Sequence, residues 1–175
     1  MSDISLTLLQ ISELPGAIGR DILAGGAGSV GDSVYIDSNG AVQKAKADAI
    51  ATAKGWGLVT AVENGAQTFA AGDMVHVVFY GPVTGFSGLT PEARQYISAA
   101  TAGKLADAAP SATDSEVWPF SFALDASTIF IRPFAPVAQA KIAAPTGGAT
   151  QDAEARTAIG SILAALRANG IVINS

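Results

Sequence analysis

Ala71-Gly72-Asp73-Met74-Val75-His76-Val77-Val78-Phe79-Tyr80 is the clearest local signal in the chain. Gly supplies a turn, and Asp can bond the backbone just ahead of a strand. Val75, Val77 and Phe79 then alternate with His76, Val78 and Tyr80, the period-two pattern of a strand. The same opening occurs earlier, at Val30-Gly31-Asp32-Ser33-Val34-Tyr35. Two copies of a turn launching a strand do not make a repeat architecture.

Further strands are predicted on both sides. Ser33 to Asp37 runs into Ser38-Asn39-Gly40, a hairpin turn signal, and Ala41 to Ala45 is the returning strand. Trp56 to Val62 is closed by Asn64-Gly65, and Gln95 to Ala99, Val117 to Leu124 and Thr128 to Arg132 complete the set. Short strands at close spacing predict a mainly β fold, an antiparallel β-sandwich or barrel. The Ala-rich stretch from Gln43 to Lys54 is compatible with one helical turn.

Four regions differ in texture. Residues 1–20 read as an N-terminal strand or arm, with Ile4, Leu6 and Leu8 alternating against Ser5 and Thr7 before Leu14-Pro15-Gly16. Residues 21–135 form the β domain. Residues 136–149, with Pro136, Pro145 and Gly147-Gly148, have linker composition. Residues 150–175 hold a single C-terminal α-helix and a tail. Thr150 caps it, Asp152 and Glu154 sit in its first turn, and Arg167 precedes Gly170. Ala155, Ile159, Ile162 and Leu166 follow a 4-3-4 spacing, widened by Leu163. So short a helix is marginal alone in water, so the stripe must be buried. The β domain or a bundle around a symmetry axis would each bury it.

Composition narrows the function. Apolar residues make up 49% of the chain, yet charged ones only 14%, against about 25% in an ordinary soluble domain. That suits a surface packed against copies of itself or a partner, and equally a small smooth β domain. The net charge is −5, and the nearest approach to a basic cluster is Lys44, Lys46 and Lys54. A groove for phosphate backbones needs concentrated positive charge, so no nucleic-acid partner is expected. There is no cysteine for a disulfide or thiolate site. No signal-peptide pattern opens the chain, and no apolar run reaches the roughly 18 residues of a membrane span. Folding in the cytoplasm of the producing cell is expected.

Catalytic chemistry is hard to assemble. His76 is the only histidine, and it falls on the strand face opposite Val75, Val77 and Phe79. There is no Gly-x-Ser-x-Gly elbow, and Gly85-Phe86-Ser87-Gly88 has the wrong spacing. The run Gly25-Gly26-Ala27-Gly28-Ser29-Val30-Gly31 leads to Asp32 and a strand, not to Gly-Lys-Ser/Thr and a helix, so it reads as a loop. Carboxylates such as Asp32, Asp73, Glu92, Glu116 and Asp125 are scattered without a calcium-loop pattern. The aromatics of Trp118-Pro119-Phe120, Phe122, Phe130 and Phe134 read as core. No enzyme activity, cofactor or metal is expected.

Three ordered stretches carry a resemblance. They are Gly31-Asp32-Ser33-Val34-Tyr35-Ile36-Asp37-Ser38-Asn39-Gly40 with Lys44-Ala45-Lys46-Ala47-Asp48; Ala71-Gly72-Asp73 through Val77-Val78-Phe79-Tyr80-Gly81-Pro82-Val83 to Gly88-Leu89-Thr90-Pro91; and Gln95 to Leu105 with Ala109-Pro110-Ser111 and the strands up to Pro133. In this order they resemble the small β domains of tailed-phage head decoration and head-fibre proteins. The segment from Ala153 to Gly170 is similar to the helix that closes head-fibre chains. The N-terminal segment has no counterpart in the resemblance, and His76 stands where an apolar or small residue is expected.

The resemblance implies a non-catalytic virion protein on the capsid exterior, commonly trimeric, with the major capsid protein as partner. It carries over no functional residues. On this reading Ile4, Leu6, Leu8 and Ile11 contact the capsid or a neighbour's sheet edge. Ala155, Ile159, Ile162, Leu163 and Leu166 form the oligomer interface. The alternative is a tail-associated or receptor-binding module whose loops grip a glycan, and a third class is a small hydrolase using His76.

Overall fold

The computed structural model describes residues 3–4, 11–112, 115–132 and 153–168. Among these the chain is mainly β, an antiparallel sheet curled into a half-barrel, with one helix near the C-terminus.

The backbone of the fold is β8, Met74–Thr84, an eleven-residue strand that grows from the Gly72-Asp73 turn. Its two halves belong to different parts of the sheet. The first half lies between β2, Ile18–Leu23, and β6, Gly57–Val62. The second half pairs with β1, Ser12–Glu13, and with β12, Thr128–Ile131. Beyond β6 come β4, Ser33–Ile36, and β5, Val42–Lys44. Beyond β12 come β11, Pro119–Ala123, β9, Arg94–Ile97, and β10, Leu105–Ala106. A small separate ladder joins β3, Gly28–Ser29, to β7, Thr68–Phe69.

The sheet curls because its ends find partners. At one end the Ala24–Val42 bridge, with the Gly25 N–H on the Val42 carbonyl at 2.8 Å, brings β5 back to the end of β2. At the other, Asp3 bridges Ala106, and the Ile4 N–H donates to the Leu105 carbonyl at 2.8 Å. The interior is filled by the branched residues that the sequence alternates. Val75, Val77 and Val78 of β8, Leu58 and Val59 of β6, Ile129 and Ile131 of β12, and Phe120 are essentially inaccessible to water. Each such side chain contributes on the order of 1.5–3 kcal/mol by leaving water.

The echoed Gly-Asp motifs are the same turn. Gly31 and Gly72 both have positive φ, +87° and +92°. The Asp32 N–H donates to the Ser29 carbonyl and the Asp73 N–H to that of Ala70, at 3.1 and 3.2 Å. In return, each aspartate carboxylate accepts the N–H three residues back, from Ser29 at 2.9 Å and from Ala70 at 2.7 Å. This is a type II turn, which wants Gly at its third position, tied off by an aspartate at its fourth.

Several expectations are refined. The boundary placed at residues 20/21 falls inside β2, because that strand needs β8 for its hydrogen bonds and joins the β domain. Phe79 does not share the buried face of Val75 and Val77. Ile18 pairs with Tyr80 and Gly19 with Val78, so Phe79 is an extra residue bulged out of the ladder. Asn39 does not take positive φ; only Gly40 does, at +78°. The Ala-rich stretch forms one turn, the Ala53 N–H bonding the Ala49 carbonyl at 2.9 Å. The helix, α1, is Ala153–Ala168. Thr150, Asp152, Phe134 and the 136–149 linker lie outside the described residues, and the side chains of Glu154 and Arg167 are not described.

Candidate functional site

The densest polar arrangement surrounds His76. Antiparallel pairing sets Asp21 of β2 directly opposite it, and the Asp21 carboxylate meets Nδ1 at 2.5 Å. On the other side of the ring, Glu13 of β1 brings Oε1 to 3.3 Å from Nε2. The same Glu13 oxygen accepts the Thr60 hydroxyl at 2.6 Å. Thr60 sits at an irregularity in β6, where Val59 pairs with Val77 but Ala61 pairs with His76. Four strands, β1, β2, β6 and β8, are thus tied through one imidazole. The histidine side chain is 31% exposed, at the edge of a 280 Å³ cleft lined also by Ala61, Val62, Glu63 and Met74.

This cluster is unlike a hydrolytic relay. A nucleophilic hydroxyl must face an imidazole nitrogen that can take its proton. Here both ring nitrogens face carboxylates, and the hydroxyl nearest the cluster, Thr60, gives its proton to Glu13. The ring can donate to both carboxylates only when doubly protonated. No group of three or more His, Cys, Asp and Glu side chains among the described residues is arranged to hold a metal ion. No described helix is long and apolar enough to cross a membrane.

A second polar centre is buried. Asp32 is 3% exposed, and its carboxylate is held by Lys104 Nζ at 2.7 Å and the Ser29 N–H at 2.9 Å. Gln95, equally buried, donates to the Ala93 carbonyl and accepts from Ser121. These polar groups are satisfied within the fold, and Gln95 also lines a cleft at the surface. A cleft of 390 Å³ lies where Asp3 and Ile4 meet the Ser87–Thr90 loop.

Aromatic side chains spend their faces on one another. Phe122 and Phe130 stack with centroids 5.4 Å apart, Tyr80 meets Phe130 edge-on, and Trp56 stacks on Phe79 with the Arg20 guanidinium 5.0 Å from its ring centre. Phe120 is fully buried, and Trp118 is nearly so, its indole N–H on the Gly55 carbonyl. A sugar platform needs an open ring face, and these contacts cover part of each ring while Tyr80 stays 44% exposed.

The predicted contact residues divide. Ile11 is buried in the β-domain core and Ile4, half-buried, packs against it within the single chain. Leu6 and Leu8 lie outside the described residues. On α1, Leu163 is buried, Ala155 and Leu166 are half-buried, and Ile159 and Ile162 are 43% and 58% exposed. The stripe is therefore split, with Leu163 turned inward and the isoleucine pair turned to water. The Asp21–His76–Glu13–Thr60 cluster was not legible in the sequence, because its members come from four strands. Comparison with protein-family models, with curated proteins and with solved structures finds no match.

Proposed function

We propose that this chain is a virion structural protein of a tailed phage, which binds the outer capsid surface as a decoration (cement) or head-fibre protein. One observation carries the reading: α1 leaves Ile159 and Ile162 in water side by side on one seam, in a chain whose β domain also leaves Ile18 and Leu23 half exposed. Ile159 and Ile162 stand at successive a and d positions of the 4-3-4 spacing, and isoleucine at both favours three strands or more. A homotrimer built on this seam would match a site of threefold symmetry in a capsid lattice. Binding to the assembled shell and not to its free subunits would stabilise the shell by mass action. The ordered resemblance to decoration and head-fibre domains and the low charge of the surface support the same reading.

The hydrolase alternative loses support from the two carboxylates on His76, while the glycan-binding alternative is decided by the test. The test is co-sedimentation of the purified chain with emptied capsids of the phage that encodes it, alongside its mass by light scattering. Saturable binding by an oligomer supports the proposal. Glycan binding without capsid affinity, or activity lost in His76→Ala, overturns it.

A further inference from the structure

The sequence holds two described Asn-Gly pairs, Asn39-Gly40 and Asn64-Gly65, in matching turns. Gly40 and Gly65 both have positive φ, +78° and +73°. The Gly40 N–H donates to the Asp37 carbonyl, and the Gly65 N–H to that of Val62. Both asparagines are exposed. A glycine after asparagine leaves its backbone nitrogen unshielded by a side chain, the arrangement most open to attack on the asparagine amide.

Two differences separate the sites. The Gly40 N–H bond is long, 3.1 Å, and the Gly65 bond is 2.8 Å, so the attacking nitrogen is held less firmly at the first turn. Asn64 has its side-chain oxygen tied to the Ala66 N–H at 2.9 Å, which fixes the amide in one orientation. Among the described residues no such bond holds the Asn39 side chain, whose backbone N–H is engaged by the Asp37 carboxylate. That carboxylate opposes loss of the glycine proton, but it already accepts the N–H groups of Asn39 and Ala41.

We propose that Asn39 is a site of spontaneous deamidation and isoaspartate formation that the fold favours over Asn64. Hydroxide or a buffer base removes the Gly40 amide proton, and the nitrogen attacks Asn39 Cγ. The new C–N bond closes a five-membered succinimide as the Cγ–Nδ2 bond breaks and ammonia leaves. Water then opens either carbonyl of the ring, giving aspartate or, with the main chain rerouted through the side chain, isoaspartate. The net change is gain of water and loss of ammonia.

The product sits at a sensitive place. It sets a second carboxylate beside Asp37, and the isoaspartyl link lengthens a loop closed by the Asp37 N–H on the Ala41 carbonyl at 2.9 Å. Val42, the next residue, both pairs with Ile36 and makes the bridge to Ala24 that closes the sheet. Modification at Asn39 therefore loosens the closure of the β domain with age.

The test is timed incubation of the full-length protein at mildly alkaline pH, with peptide mapping by mass spectrometry. The same chain in denaturant gives the rates set by sequence alone. The expected result is conversion at Asn39 several-fold faster than at Asn64 in the folded protein, near-equal rates in denaturant, and faster amide exchange around Val42 in aged samples. Equal rates in the folded protein, a faster Asn64, or conversion at neither site while both convert in denaturant would each overturn the proposal. Asn39→Gln should remove the early product and keep the young exchange pattern.

Discussion

Lys104 reaches the buried carboxylate of Asp32 across a sequence separation of 72 residues, Nζ to Oδ1 at 2.7 Å. The lysine stem crosses into the domain from the turn before β10, and its side chain is 30% exposed where the side chain of Asp32 is 5%. The partners are unequal: the lysine can find water without the aspartate, but the aspartate has no such recourse. Gly103 belongs to the same relationship. Its φ is +84°, and a Cβ there would stand 2.8 Å from the Asp32 carboxyl carbon.

Lys104→Met should therefore cost about 3 kcal/mol, the toll of leaving one half of a buried pair uncompensated. Urea unfolding would show it as a lower midpoint at unchanged slope. Adding Asp32→Asn to Lys104→Met should recover part of the loss, because the residual amide is neutral. A double variant no more stable than the single would count against the account.

Glu92 is the one non-glycine residue with positive φ among those described, at +68°. It follows Pro91 in a turn closed by the Ala93 N–H on the Thr90 carbonyl at 3.1 Å, where a type II turn calls for Gly or Asn. Glu92→Gly or Glu92→Asn should raise stability by about 0.5–1 kcal/mol through relief of left-handed strain. Thermal unfolding would register the gain as a higher Tm.

The tie at His76 should be modest in energy and local in effect. His76 and Glu13 are about one-third exposed and Asp21 more so, so Glu13→Gln or Thr60→Val should cost about 1 kcal/mol. The sharper readout is hydrogen exchange, since the Glu13 side chain ties β1 to Thr60 of β6 and His76 of β8 beside its short backbone ladder. Faster exchange at Leu14, whose N–H bonds the Pro82 carbonyl at 3.1 Å, is expected while β6 stays protected.

Acid titration should show two opposing trends. Hydrogen bonds hold the carboxyls of Asp37, Asp48 and Asp125 below the usual range, from Gln43, Lys46 and Ser127 foremost. Their stabilisation is present above the ordinary aspartate range and is lost as pH falls through their lowered values. Burial pushes Glu116 the other way, so stability falls as pH rises through its raised value. Glu116→Gln should therefore gain a few tenths of a kcal/mol at neutral pH, given its partial exposure. That gain should vanish below the glutamate range. A gain that persists in acid would show that desolvated charge is not its source.

The features legible in the sequence were local. The Gly-Asp turns before β4 and β8 were readable because every atom of the motif comes from four consecutive residues. The branched run of β8 was readable for the same reason. The features that escaped depend on distant pairing. Phe79 bulges because β2 meets β8 out of step, and Ile4 turns to its own core because β10 offers an open edge. The His76 cluster gave no signal, since strands β1, β2 and β6 reach it from separate parts of the chain. Even Asp21, directly opposite His76 in the ladder, could be found only from the register.

The helix offers the most discriminating pair of substitutions. Leu163 is buried and Ile162, its neighbour, is 58% exposed in the single chain. If the isoleucine seam joins copies, Ile162→Asp should dissociate the oligomer while changing the β domain's stability by no more than about 0.5 kcal/mol, as for an ordinary surface substitution. Leu163→Ala should do the reverse in kind, freeing the helix from its own chain at a cost of about 2 kcal/mol. Light scattering separates the two, and removal of residues 150–175 gives the reference. A trimer that survives both Ile162→Asp and the truncation would move the interface to the β domain. An Ile162→Asp variant that falls to the monomer, with Leu163→Ala still oligomeric, would establish the isoleucine seam as the joint between copies.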